Sequence, residues 1–177
     1  MTILIIILII LGLYFIFFIT QFINITLRGY APLISTDQET ISAIINELNI
    51  KNQSVVYELG CGQAVFLQSI EANFPKSTLI GVENLSTVYL LNNILLKFKK
   101  SQIKLIKKDI FKTNLEKADI IYCYLNNETM KNLGDKFMEE CKNSTIIVSR
   151  SFPIPQFQPL KSIEIKSKKI YFYEINN

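Results

Sequence analysis

Apolar positions along the chain fall into two regimes. From Thr2 to Leu27 there is no Asp, Glu, Lys or Arg, and Ile3 to Ile19 is almost wholly Ile, Leu and Phe. A helix needs about 20 such residues to cross a bilayer, and a buried soluble helix of that length would show a polar stripe, which is missing here. Residues 1–27 are therefore expected to form a transmembrane anchor, with 3–20 in contact with lipid. A cleaved signal peptide is the competing reading. It requires basic residues ahead of the apolar run and a small-residue cleavage site after it, and the sequence has neither.

After a proline-containing linker at 28–35, the periodicity becomes that of a folded domain. Thr36-Asp37-Gln38-Glu39 matches a capping box, and Ile41, Ile44, Ile45 and Leu48 follow on one helical face. Ser54 to Leu59 reads as a buried strand, Ala64 to Asn73 as a helix and Ser77 to Val82 as a second strand. Asn84 to Lys99 reads as a helix carrying Leu85, Val88, Tyr89, Leu91, Leu95 and Phe98. Ile103 to Lys108 is expected as a third strand with outward lysines, and Ala118 to Leu125 as a fourth. Glu128 to Cys141 is an amphipathic helix and Ser144 to Ser149 a fifth strand. Ser162 to Ile165 and Lys169 to Ile175 alternate apolar and polar around a short turn, the pattern of a hairpin. Strands alternating with helices imply an α/β domain over 36–177, with a mostly parallel sheet covered on both faces.

Composition narrows the chemistry. The chain of 177 residues has no histidine, which excludes Ser-His-Asp triads, Cys-His dyads and histidine-bound zinc. Three cysteines without a C-x-x-C spacing fit free thiols, and no metal site is expected. The net charge is +4, with lysines concentrated between Lys97 and Lys112. That cluster reads as a solvated edge, or as a contact for anionic lipid or nucleic acid. Arg28 and the later lysines put the domain on the cytosolic side of a single-pass membrane protein, or its topological equivalent.

Tyr57 to Ala64, YELGCGQA, carries the chemical signal. Gly60 and Gly62 occupy the first strand-to-helix turn, where open α/β sheets bind ligands. A dinucleotide fingerprint fails, because its third small residue falls on Val65, and Walker A is absent. Acid-x-G-x-G-x-small, from Glu58 to Ala64, resembles instead the first motif of seven-stranded, Rossmann-like methyltransferases, with Ala64 in place of their last glycine. S-adenosylmethionine brings an ammonium and a sulfonium, so a carboxylate at Glu58 suits it where it would oppose a pyrophosphate. Glu83, ending the second strand, is placed to accept the ribose hydroxyls, and Asp109 with Ile110, after the third, to read the adenine. Thr36, Cys61 and Asn84 complete the expected cofactor set. Cys61 reads as a small loop filler rather than a nucleophile.

The resemblance extends to APLIST, GVEN, DIFKTNLEKADIIYCYL and SRSFPIPQFQPL, which occur in the order found in small lysine methyltransferases with an N-terminal membrane segment. That group includes the enzymes modifying the ATP synthase c-subunit and the mitochondrial ADP/ATP carrier, and prokaryotic relatives. It implies a seven-stranded methyltransferase sheet with a terminal antiparallel hairpin, S-adenosylmethionine as cofactor, and a lysine of a membrane protein as acceptor. The N-P-P-Y motif of nucleobase amine methyltransferases is missing, so nucleic acid is not the expected substrate. Tyr124 and Asn126 are expected at the acceptor, and Ser151, Phe152 and Pro153 along the substrate groove. An RNA or small-molecule acceptor, and an inactive membrane-tethered interaction module, remain as alternatives.

Overall fold

The computed structural model describes residues 2–28, with side chains through residue 20, and residues 35–176. The chain divides into two compact units, Met1–Leu33 and Ile34–Asn177. The linker expected at 28–35 lies, apart from its two ends, outside the described residues.

The described residues of the first unit form one helix, α1 (Thr2–Arg28). All its described side chains are exposed, and Thr2–Thr20 has a mean hydropathy of 3.2. It is the one helix, among the described residues, long and apolar enough to cross a membrane.

The second unit is a seven-stranded sheet in the order β3-β2-β1-β4-β5-β7-β6. The strands are β1 (Val55–Leu59), β2 (Thr78–Glu83), β3 (Lys104–Lys107), β4 (Ile120–Cys123), β5 (Ile146–Arg150), β6 (Lys161–Ile165) and β7 (Lys168–Glu174). The first five run parallel, and β7 enters antiparallel between β5 and β6. Chain order reverses between β1 and β4, which makes their C-terminal ends the switch point where such sheets hold ligands.

The central strands are buried on both faces, so they read as nearly continuous apolar runs. Val56 and Tyr122 face α2 (Gln38–Glu47) and α3 (Val65–Asn73), in a core with Ile41, Ile44, Phe66, Leu67 and Ile70. Phe66 stacks on Tyr122 with ring centroids 4.2 Å apart. Tyr57, Leu59 and Ile121 face α5 (Asn127–Glu140), packing with Met130, Leu133 and Phe137.

Three local expectations are corrected. The residue capping α2 is Asp37, whose carboxylate accepts from Thr40 N–H at 3.2 Å, so the capping box from Thr36 does not form. Thr36 is instead buried, 2.6 Å from the Tyr122 hydroxyl. The third strand is a four-residue edge in which both Leu105 and Ile106 are half-buried, so outward lysines do not alternate cleanly. In α4 (Ser86–Phe98) the buried residues are Asn92 and Leu96, whereas Leu91, Leu95 and Phe98 are exposed.

Candidate active site

The C-terminal ends of β1, β2 and β3 are bound to one another by backbone hydrogen bonds. Gly60 N–H and Cys61 N–H both donate to Val82 O, at 2.9 and 3.0 Å. Lys108 N–H donates to Glu83 O at 3.1 Å. These bonds bring the glycine loop, Glu83 and Asp109 side by side.

Gly60 and Gly62 have φ of 70° and 50°, backbone that a Cβ would strain. A Cβ on Gly60 would also come within 2.7 Å of Leu125 Cδ2. Cys61 tucks inward over Gly81, where an added Cβ would meet its Sγ at 2.9 Å. Its side chain is buried and burial pushes its thiol pKa up, in keeping with a loop filler and not a nucleophile.

Glu83 is buried and organises the loop. One carboxylate oxygen accepts from Gly62 N–H at 3.0 Å and the other from Leu85 N–H at 2.8 Å. Each oxygen has a further lone pair, so the group can also accept ribose hydroxyls. Asp109 caps a short 3-10 turn, Ile110–Lys112, by accepting from Phe111 N–H at 2.9 Å through one oxygen. Its second oxygen is uncommitted among the described residues, which suits an adenine amino group. Ile110 is half-buried beside it, and Asn84 is exposed after Glu83.

Glu58 departs from its expected form. Its carboxyl accepts from Leu67 N–H, in the first turn of α3, at 3.3 Å. Ala64, at the capping position, has no side-chain oxygen, and Glu58 supplies the missing acceptor from the neighbouring strand. Burial pushes its pKa up to about 8; the Leu67 hydrogen bond pulls it down and the negative Glu83 adds to the rise. Burial thus favours its neutral form in the free protein, against the standing negative charge that the sequence suggests.

Across the switch point, Tyr124, Ser151 and Phe152 come together in a cleft of about 540 Å³, closed by Glu164, Lys168 and Tyr171 of the hairpin. Pro153, next in the chain, is exposed and lies outside this lining. Asn126 is likewise outside the lining and caps α5, accepting from Thr129 N–H at 2.8 Å. The loop after Phe152 is anchored to the fold: Ile154 N–H donates to Tyr173 Oη at 2.9 Å, and the Gln156 amide donates to Lys131 O at 2.7 Å across Gly134.

Sequence reasoning missed Arg150. It is buried, its guanidinium carbon lies 4.5 Å from the Tyr124 ring centre, and Nη2 donates to Asp37 at 3.2 Å. Nε and Nη1 find no acceptor among the described residues. An arginine closing the apolar strand IIVSR was the available signal, since buried charges need partners. The left-handed Gly60 and Gly62 backbone, the lone pairs on Glu83 and the open oxygen of Asp109 suit the close approach of an amino-acid end, a ribose and an adenine amine, so the residues present fit S-adenosylmethionine.

The sheet order, the terminal hairpin and the loop-plus-acid site define a seven-stranded methyltransferase. Residues 58–161 match the ANTKMT methyltransferase domain, and the chain belongs to that family. A Protein-lysine N-methyltransferase of Saccharolobus islandicus (strain REY15A) is 22% identical over 152 residues, 82% of this chain and 94% of that protein. Among solved structures, an RNA methyltransferase from Salinibacter ruber in complex with S-adenosyl-L-homocysteine superposes with a TM-score of 0.75 at 16% identity, covering 80% of this chain and 94% of the other. MtNAS in complex with S-adenosylmethionine gives 0.68 at 9% identity, covering 78% and 61%. The expected cofactor, S-adenosylmethionine, agrees with the family and with both complexes.

Proposed function

We propose that the protein methylates the side-chain amine of a lysine in a membrane-associated protein, using S-adenosylmethionine. In this reading residues 1–27 anchor the chain in a bilayer, 28–35 link, and 36–177 form the catalytic domain on the cytosolic or equivalent side. The observation that carries it is Lys168. Its Nζ lies 5.6 Å from the centre of the Tyr124 ring and donates to the Tyr124 hydroxyl at 3.2 Å, within the cleft. The chain's own lysine thus stands where an acceptor lysine would enter, and an aromatic face suits both an ammonium and its methylated product. The similarity to a protein-lysine N-methyltransferase supports the same acceptor.

The cofactor supplies a methyl group activated on a sulfonium, and the chain supplies alignment and exclusion of water. Glu83 and Asp109 hold the nucleoside end, and Gly60 and Gly62 let the loop backbone pass close beneath the ligand. Arg150, paired with Asp37, packs against the Tyr124 ring and holds it in place. Arg150, Lys168 and the incoming sulfonium together disfavour a charged acceptor, so the lysine amine arrives neutral and no histidine base is required. Asn126, through its cap, fixes the turn that presents Tyr124.

Transfer of labelled methyl from S-adenosylmethionine to membrane extracts tests the proposal. Label in protein, recovered as methyl-lysine, is the expected result; label confined to RNA or lipid contradicts it. Asp109→Ala is expected to weaken cofactor affinity at least about tenfold, the scale of one charge-assisted hydrogen bond, and unchanged affinity by calorimetry contradicts the site.

A further inference from the structure

The outer face of α4 is unpartnered among the described residues. Leu90, Leu91, Ile94, Leu95 and Phe98 recur at i, i+1, i+4, i+5 and i+8, one continuous stripe. They are 42–83% exposed, with Phe98 the extreme at 83%. A large apolar stripe left in water is unfavourable and marks a contact surface. Immediately beyond it the chain is strongly basic: Lys97 to Lys112 contains seven lysines and one acid, Asp109. All seven lysines are exposed, and none forms an ion pair among the described residues.

We propose that α4 and the adjoining lysine edge lie on the surface of an anionic bilayer, the apolar stripe sinking into the headgroup boundary and the lysines meeting lipid phosphates. Helices with an apolar face beside dense basic charge bind interfaces in this way, and each lysine near an anionic surface adds to the attraction. The charge argues against a second copy as the occupant, since pairing two such faces would oppose two lysine clusters. It equally argues against nucleic acid, which would leave the stripe in water. The inference rests on the proposed membrane location but adds a second contact, one that orients the domain where α1 only tethers it.

The chain has no tryptophan, so Phe98→Trp installs a single tryptophan, excited selectively over tyrosine, at a site exposed enough to accept it. The full-length variant is reconstituted into phosphatidylcholine vesicles, with and without phosphatidylglycerol, whose acyl chains carry bromine as a quencher. Met138→Trp, on the opposite face of the sheet, is the control. Strong quenching at position 98 in anionic vesicles is expected, at least about twofold above the control. It should fall in neutral vesicles and in about 0.5 M salt, where screening shortens the Debye length to roughly 4 Å. Equal quenching in neutral and anionic vesicles overturns the role given to the lysines. A blue-shifted but unquenched tryptophan overturns the proposal in favour of a protein covering the stripe. So does an unquenched, water-exposed one. Carbonate extraction reads α1 separately, so failure of the anchor and failure of the α4 contact are distinguishable.

Discussion

Glu58 and Glu83 end neighbouring strands yet answer to different surroundings. Glu83 has two backbone N–H groups on its carboxylate. Glu58 has one, and burial lifts its pKa from 4.5 to about 8. Because the folded value exceeds the unfolded one, the stability this group favours is fully present below about pH 4.5 and is lost as pH rises through about 8. Melting of the free protein is therefore expected to drop between those pH values, and Glu58→Gln to flatten the drop; an identical pH profile in the variant contradicts the assignment. Ligand cations beside Glu58 favour its ionised form, so cofactor binding near pH 7 should release up to one proton. Calorimetry in buffers of differing ionisation enthalpy reads that number, which Glu58→Gln should reduce to near zero. The three acids and two glycines were legible in the sequence because each closes a strand. The protonation of Glu58 was not, since it depends on burial by α3. Arg150 was not legible either, because its Asp37 and Tyr124 partners lie far away in the chain.

Elements show the same division. The parallel strands and both helical layers follow from alternation of apolar runs with helical periodicity, and the hairpin from its period of two, whereas the strand order does not. The start of α3 did not. Ala64 lies at φ 54° without a side-chain hydrogen bond, a left-handed conformation that costs an L-residue about 1 kcal/mol. Ala64→Gly is accordingly expected to stabilise the domain by roughly 0.5–1 kcal/mol, read as a raised denaturation midpoint; a loss would mean that the Ala64 methyl, fully buried in the core, outweighs the strain. The outward turn of α4 was equally hidden. Its apolar positions circle the helix, and only the packing of Asn92 and Leu96 against the sheet decides which side faces out. Asn92 donates to Gly62 O at 2.9 Å, so a polar residue takes the inner face because it holds the cofactor loop. Asn92→Leu is expected to preserve the fold and weaken cofactor binding, measurable by titration, because Gly62 O loses its donor.

For the molecule as a whole, the central question is whether an apolar helix and a methyltransferase domain serve one task. Tethering raises the local concentration of domain and substrate without adding contacts. A chain starting at Ile34 should therefore keep its cofactor affinity and methylate lysine peptides supplied in excess, while losing methylation of membrane proteins. The most direct measurement is mass spectrometry of membrane proteins treated with the full-length protein and isotopically labelled S-adenosylmethionine. The account predicts labelled methyl groups on lysine Nζ, lost when Glu83→Ala replaces the parent protein. Labelled RNA or lipid with no modified lysine, or undiminished lysine labelling by the Glu83→Ala variant, would contradict it.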